Sequence, residues 1–108
     1  MGGPVSAPFS IVMTTIDDEA AANAIARHVV EHGLAACVHI VPLRSVYRWQ
    51  GRIEEAREFR LEMKMRTADY PQLEAAIRAM HSYDTPEIVR LDIAEGYRRY
   101  LDWLAEAP

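Results

Sequence analysis

Residues 52–66, RIEEAREFRLEMKMR, decide the fold, because this stretch can be assigned either to a helix or to a strand. Glutamate, arginine, leucine and methionine favour helices, so intrinsic propensity predicts a helix. The apolar residues Phe59, Leu61, Met63 and Met65, however, alternate with charged residues without a slip. Alternation places every second side chain on one face of a strand, and it outweighs a weak propensity. The stretch is therefore predicted to be a strand.

The preceding residues predict a partner for this strand. Residues 34–50 are rich in Val, Ile, Tyr and Trp, and they lead into the turn signal Gln50-Gly51. Pro42 interrupts them, and because proline cannot donate to a sheet ladder, an edge position or a bulge is expected there. A long hairpin is thus predicted in the middle of the chain.

The flanking segments alternate between strands and helices. An apolar, β-branched strand is predicted over residues 9–16, followed by a helix that begins after Asp17 and stops at Gly33. The remaining elements are a second helix that begins near Asp69 and buries Leu73, Ala76, Ile77 and Met80, a strand after Pro86, and a last helix after Gly96. The order β-α-β-β-α-β-α fits an α+β protein with the ferredoxin-like fold and an added C-terminal helix.

Length and strand geometry predict one domain that self-associates. The 108 residues are expected to form a single domain over residues 8–108, after a flexible tail over residues 1–7. Hairpin strands of about 15 residues would extend roughly 50 Å, whereas a compact domain of this length is about 35 Å across. An overhanging hairpin leaves backbone groups unpaired, so a homo-oligomer is predicted.

Composition and motifs exclude several classes of function. A net charge of −4 gives no basic footprint for nucleic acid, and no apolar stretch approaches the ~20 residues of a membrane span. The single cysteine, together with a start that lacks signal-peptide features, predicts a cytoplasmic location. Because no phosphate loop, nucleophile elbow, HExxH or CxxC motif occurs, the protein is not expected to be an enzyme.

Several motifs in fixed order resemble one known family. The stretches LAACV (residues 34–38), SVYRWQG (45–51) and HSYDTPE (81–87), together with YLDW (100–103), are similar to those of the CutA divalent-cation tolerance proteins. Pro42, Glu58 and Lys64 also stand at the positions expected for that family, and the resemblance covers roughly residues 9–105. Their order and spacing make the combination specific.

The resemblance implies a homotrimer of ferredoxin-like subunits, joined through their long hairpins and similar in architecture to PII signalling proteins. It also implies a role in tolerance of copper and other divalent metal ions, without catalytic activity. Some copper-linked members carry a cysteine where this chain has Thr14, and a second histidine where it has Met80. Ser82 and Met65 are further departures from the family pattern.

Two residues are candidate metal ligands, each with a structural alternative. His81 has an imidazole that suits copper, but a histidine at a helix C-terminus is also favoured by the helix dipole. Cys37 has a soft thiol ligand, but a free cysteine in an apolar strand is usually a small buried hydrophobe. His28 and His32, four residues apart on the first helix, are interpreted as part of a solvated face. Apart from a divalent ion such as copper, no cofactor is predicted.

A second candidate site is a cleft at a subunit interface that would bind a small ligand. Tyr47 and Trp49 are two residues apart on a predicted strand, so their side chains point to the same side. The alternative is that the aromatic residues form the oligomer core, where Tyr and Trp are enriched. The cleft would make the protein a PII-like regulatory module for a small metabolite or a partner protein; its predicted residues are Tyr47, Trp49, Lys64, Tyr83, Glu87 and Trp103.

Overall fold

The computed structural model describes residues 7–107, which form one four-stranded sheet and three α-helices. The strands are all antiparallel and lie in the order β2-β3-β1-β4. This arrangement confirms the predicted α+β, ferredoxin-like fold with a C-terminal helix. The elements are β1 (Phe9–Ile16), α1 (Glu19–Glu31), β2 (Cys37–Trp49), β3 (Arg52–Arg66), α2 (Tyr70–Met80), β4 (Val89–Asp92) and α3 (Arg98–Glu106), with a short 3₁₀ helix, Thr67–Asp69, before α2.

The predicted N-terminal tail falls largely outside this range, since residues 1–6 are not among the described residues. Ala7, the last residue of that tail, contacts the domain, because its carbonyl oxygen accepts a hydrogen bond from Thr67 Oγ1. No helix within residues 7–107 combines the length and the apolar character needed to cross a bilayer.

Strand β3 has the limits that the alternation predicts. Leu61, Met63 and Met65 are at most 1% exposed, and Phe59 packs against the same core. Burying a side chain of this kind contributes about 1.5–3 kcal/mol, whereas helix propensities of ordinary residues differ by less than about 0.7 kcal/mol each. Packing against the core thus explains why helix-forming residues are found in a strand.

Helix α1 begins and ends at the predicted signals. Asp18 is its N-cap, and the carboxylate accepts a hydrogen bond of 2.8 Å from the backbone N–H of Ala21. Gly33, just beyond the helix, has a φ of 68°, a conformation that glycine adopts without steric cost.

Helix α2 confirms most of its predicted face but not the end of it. Leu73 and Ile77 are fully buried, whereas Met80 is 36% exposed. The prediction that Met80 fills the core is therefore wrong. Periodicity identifies the face of a helix, but it does not show whether another element covers the last turn. His81 is the C-cap, and its backbone N–H donates to the Ile77 carbonyl oxygen at 2.9 Å.

The β2–β3 hairpin extends beyond the rest of the sheet. Since β1 ends opposite Phe59, residues 52–58 of β3 pair only with β2. Gln50 and Gly51 at the turn have φ angles of 49° and 78°, as a tight hairpin turn requires. The radius of gyration is 14.9 Å, against about 13 Å expected for a compact domain of this length. The overhang and the edge position of Pro42 on β2 agree with prediction.

The two faces of the sheet are covered differently. The core side chains lie on the face packed against α1 and α2. The opposite face, named here the open face, carries the odd-numbered residues of β2 and the even-numbered residues of β3. Arg66 on this face donates from Nη1 to the carbonyl oxygen of Ala105 at 3.4 Å, which places α3 at one end of it. Leu101 and Leu104 are the buried residues of α3.

Candidate functional site

A cleft of about 570 Å³ lies on the open face, next to the overhanging part of the hairpin. Because β1 ends opposite Phe59, the side of β3 beyond that point is free of strand partners, and the loop between α2 and β4 comes close to it. Thr15 at the end of β1 lines the cleft, as does Ser45 of β2. Its other main lining residues are Tyr47 and Trp49 of β2, Glu58 of β3, and Tyr83, Asp84 and Glu87 of the loop.

Glu58 and Tyr83 form the polar centre of the cleft. The Tyr83 hydroxyl donates a hydrogen bond of 2.6 Å to Oε2 of Glu58. Glu58 is only 7% exposed, which is unusual for a carboxylate. Burial raises the pKa of the Tyr83 phenol above its ordinary value, and the hydrogen bond and negative charge of Glu58, with the charge of Asp17, raise it further. The phenol thus remains a neutral donor to the buried carboxylate.

His81 holds the loop in place through both of its ring nitrogens. Nε2 lies 2.8 Å from the carbonyl oxygen of Thr15, and Nδ1 lies 3.0 Å from the backbone nitrogen of Tyr83. A carbonyl only accepts and an N–H only donates, so the ring is the neutral tautomer with its proton on Nε2. The ring centroids of His81 and Tyr83 are 4.7 Å apart. His81 therefore orients Tyr83, the residue that contacts Glu58. A metal ion bound to this ring would break one of the two hydrogen bonds.

The structure brings together four of the six residues predicted for the cleft. Tyr47 and Trp49 are 44% and 49% exposed, and they form its wall on β2. Tyr83 and Glu87 contribute from the loop. Lys64 and Trp103 do not line the cleft. The six predicted residues therefore come from two different regions of the protein.

Those two residues belong to the part of the open face near α3. Lys64 pairs with Cys37 in the β2–β3 register, and Trp103 stacks on Tyr100 with ring centroids 5.6 Å apart. Burial raises the pKa of the Tyr100 phenol, and an electrostatic interaction with Cys37 raises it further. Cys37 is partly buried and lies on the open face rather than in the core.

Cys37 has a neighbour that the sequence analysis missed. His39 Nε2 lies 3.7 Å from Cys37 Sγ, and its Nδ1 lies 3.2 Å from Lys64 Nζ. The signal was present in the sequence, since residues two apart on a strand share a face. The positions of Cys37 and His39 on β2 therefore place thiol and imidazole side by side on the open face.

Glu58 is the other residue whose role was missed. The sequence places it on a mixed charged face with Arg60 and Glu62, which form an ion pair at 2.9 Å. Only the position of the α2–β4 loop over β3 makes Glu58 a buried carboxylate. No local pattern in the sequence distinguishes it from the neighbouring charged residues of the same face.

The remaining metal candidates do not assemble into a larger cluster. Within residues 7–107, no group of three or more His, Cys, Asp or Glu side chains is arranged to hold a metal ion. Thr14, at the position where copper-linked members have cysteine, is fully buried on the core side of the sheet, away from Cys37. His28 and His32 stack with ring centroids 4.0 Å apart, and His32 Nδ1 is 2.9 Å from the His28 carbonyl oxygen.

Known proteins of similar sequence and structure exist. The divalent-cation tolerance protein CutA of Thermus thermophilus is 50% identical over 97 residues, covering 89% of this chain and 94% of that protein. The solved structure of the divalent cation tolerance protein CutA1 from the same organism has a TM-score of 0.88 at 49% identity, over 92% of this chain and 97% of that one. Likeness at this level extends to the whole fold.

Two further relatives correct the predicted location. A solved structure described as the periplasmic divalent cation tolerance protein CutA of Archaeoglobus fulgidus has a TM-score of 0.89 at 36% identity, over 92% of this chain and 97% of that one. A chloroplastic CutA protein of Arabidopsis thaliana is 38% identical, over 90% of this chain and 54% of that protein. The prediction of a cytoplasmic location is therefore wrong as an inference from these features. Targeting segments specify a compartment, and neither the fold nor a single cysteine does so.

The family assignment rests on nearly the full length of the chain. The family described as CutA1 divalent ion tolerance protein matches residues 10–107. This range contains each motif on which the resemblance was based, including the hairpin and the loop that begins at His81. The chain therefore belongs to the CutA1 family of divalent ion tolerance proteins.

Proposed function

We propose that this protein acts in the response to divalent metal ions as a non-catalytic homotrimer that binds a copper-like ion through Cys37 and His39. The observation that carries the metal site is the separation of 3.7 Å between Cys37 Sγ and His39 Nε2. A metal with bonds of about 2.3 Å to sulfur and about 2.0 Å to nitrogen, at a roughly tetrahedral angle, places its two donor atoms about 3.5 Å apart. The side chains thus fit one ion with little movement, and thiolate and imidazole suit copper and zinc.

Lys64 regulates access to this pair. Its ammonium group can only donate a hydrogen bond, so at 3.2 Å the lone pair of His39 Nδ1 accepts it. The proton of the imidazole is then on Nε2, the nitrogen that faces the thiol of Cys37. A metal on Nε2 requires the proton to move to Nδ1 or to leave. Lys64 must then turn away, and its positive charge weakens binding of a cation nearby. Waters or a further protein ligand complete the coordination.

His81, the other candidate ligand, is assigned a positioning role instead. Both ring nitrogens already have hydrogen-bond partners in the described part of the chain, and a metal would have to replace one of them. The proposal therefore separates the metal ligands on β2 from the histidine that orients the loop.

Calorimetric titration of Cu²⁺ and Zn²⁺ into protein without an affinity tag tests the metal site, with Cu⁺ measured by chelator competition. Cys37→Ser and His39→Ala are expected to weaken binding at least about tenfold, because each removes one of two protein ligands. His81→Ala and the surface control His32→Ala should leave the affinity unchanged. Wild-type affinity in both β2 variants, or a loss confined to His81→Ala, would show that the site lies elsewhere.

Self-association is supported by the uncovered part of the sheet. β2 is an edge strand of 13 residues, and β4 at the opposite edge of the sheet exposes Val89 (44%) and Leu91 (47%) on the open face. A long unpaired edge strand and exposed apolar surface are both typical of an interface between copies. The number of copies, three, comes from the family resemblance. Each copy is proposed to be one domain over residues 8–108.

Sedimentation equilibrium measures the number of copies directly. The expected mass is three times the chain mass of 12.3 kDa. Leu91→Glu on the open face should dissociate the assembly, whereas Val30→Glu on α1, which is 42% exposed, should not. A monomeric wild-type protein at micromolar concentration would contradict the proposal.

A second candidate function is a PII-like regulatory module that binds a small metabolite or a partner protein. The cleft of about 570 Å³, with Tyr47, Trp49 and Tyr83 in its walls, favours it, because ligand sites combine aromatic surface with a few placed polar groups. A metabolite that raises the melting temperature in the presence of a metal chelator would support this function. If Cys37→Ser abolished that shift, the ligand would be acting through the metal site.

A further inference from the structure

We propose that the cleft on the open face binds an organic cation, through an ammonium group held between Glu58 and the aromatic side chains of Tyr47, Trp49 and Tyr83. The proposal rests on the second candidate function, a small ligand in this cleft, and it specifies the chemical class of that ligand. Either a primary amine or a quaternary ammonium has the required charge.

The charge of the cleft determines the sign of the ligand. Glu58, Asp84 and Glu87 are among its lining residues, and none of the lining residues is lysine, arginine or histidine. Glu58 accepts a hydrogen bond from the neutral Tyr83, and no ion pair within residues 7–107 joins it to a cation. A carboxylate that is 7% exposed, with no ion-pair partner among the described residues of its own chain, favours a positive group brought to it. Phosphate-bearing ligands would be repelled.

The aromatic walls fit an ammonium group in particular. Tyr47 and Trp49 are about half exposed on one face of β2, and Tyr83 lines the cleft from the α2–β4 loop. The faces of such rings attract a cation within about 6 Å, most strongly for tryptophan, and several rings together form the cages that hold quaternary ammonium groups. Aromatic surface and a buried carboxylate in one cleft thus supply the two interactions that an organic cation uses.

The arrangement of the carboxylates argues against a metal ion in this cleft. Within the described residues, no three His, Cys, Asp or Glu side chains are close enough to hold one ion, although three acidic residues line this cleft. Its volume of about 570 Å³ lies within the range of about 300–1,000 Å³ typical of small-molecule sites. The charges are spread over a space that suits an extended organic cation, such as a diamine with one ammonium at Glu58 and the other near Glu87.

Tryptophan fluorescence provides a direct assay. The chain has two tryptophans, so Trp103→Phe leaves Trp49, which lines the cleft, as the reporter. Putrescine and tetramethylammonium are the probes, and ATP and tert-butanol are the anionic and neutral controls. Both cations are expected to change the fluorescence with saturation, and the apparent affinity should fall as salt is added. Neither control should produce a saturable change.

Charge-removing variants locate the binding. Glu58→Gln keeps the shape and the acceptor for Tyr83, and it should weaken binding of both cations about tenfold, since it removes the negative charge that attracts the ammonium group. Glu87→Gln should weaken putrescine more than tetramethylammonium. Glu55→Gln is the matched control, because Glu55 lies on the same strand but on the other face. Circular dichroism and thermal melting show whether each variant is folded.

Each remaining outcome overturns the proposal. If tert-butanol binds as well as tetramethylammonium, or if Glu58→Gln and Glu87→Gln both bind the cations like the wild type, the charge has no role. If ATP binds in the cleft, the proposed regulatory function is retained, but the assignment of an organic cation as the ligand is wrong. If neither the probes nor any metabolite bind, both the regulatory function and the organic-cation site are refuted. If no cation binds and Glu58→Gln changes the sedimentation mass, a basic side chain of a second copy occupies the cleft.

Discussion

Replacing His81 with alanine removes one hydrogen bond that connects the α2–β4 loop to β1 and one hydrogen bond within the loop itself. The Thr15 carbonyl oxygen loses a donor at 2.8 Å, and the Tyr83 N–H loses an acceptor at 3.0 Å. The C-cap of α2 is unaffected, because it uses the backbone N–H of residue 81. The substitution therefore tests the side chain alone.

The expected loss of stability follows from these two contacts. A net hydrogen bond contributes about 1 kcal/mol, so the free energy of unfolding should fall by about 2 kcal/mol. At an unfolding entropy of ~2.1 cal/mol/K per residue, a chain of this length should melt about 9 °C lower. The matched control His32→Ala, at an exposed position with one hydrogen bond to the His28 carbonyl, should change stability by less than about 0.5 kcal/mol.

Thermal and urea unfolding, both at one fixed protein concentration, measure this difference, because self-association would make the midpoint concentration-dependent. The same samples are then titrated with metal ion. The positioning role requires lower stability and unchanged metal affinity. If His81→Ala melted like the wild type and lost its metal, His81 would be a ligand and the assignment of its tautomer from hydrogen bonds would be refuted.

Three further predictions concern other residues of the sheet and the cleft. Tyr83 has a folded-state pKa above its ordinary value of 10.0, so its phenol stabilises the fold fully below about pH 10 and loses this contribution as pH rises further. The stability gap between wild type and Tyr83→Phe, measured by urea unfolding, should therefore narrow above pH 10. Lys64→Gln should tighten metal binding several-fold in calorimetry, because it removes an ammonium 3.2 Å from His39. Thr14→Val should raise the free energy of unfolding by about 1 kcal/mol, because the buried Thr14 hydroxyl has no hydrogen-bond partner within residues 7–107.

Each of these three has a clear contrary result. If the difference in stability between the wild type and Tyr83→Phe stayed constant to high pH, the pKa of the phenol would not be raised by folding. Weaker metal binding in Lys64→Gln would indicate that the lysine assists the site. A destabilised Thr14→Val protein would indicate that the hydroxyl has a partner that the isolated chain lacks.

The fold could be predicted from the sequence because the decisive patterns are local. Alternation along β3, the cap at Asp18 and the glycine at position 33 each act within a few residues, and the strand limits of β1 and β3 agree with prediction. At the end of an element, as at Met80, the periodic pattern predicted burial wrongly. Whether the last turn of a helix is buried depends on residues far away in the chain.

The candidate site could be predicted only in part, since its chemistry depends on contacts between distant segments. Tyr47 and Trp49 were identified by their spacing on one strand, and Tyr83 and Glu87 through the family motif. The i, i+2 spacing of Cys37 and His39 can be read from the sequence. Only the distance between Cys37 Sγ and His39 Nε2 distinguishes this pair from ordinary surface residues.

The sequence alone determined the order of elements, the alternating core and the overhanging hairpin, since these follow from periodicity and chain length. Only the tertiary structure decided what Glu58 and His81 do. Glu58 is 25 residues from Tyr83 along the chain, and His81 is 66 residues from Thr15. Burial, tautomer and hydrogen bonding at these positions are set by the loop that folds back over the end of β1, and no local sequence pattern encodes that contact.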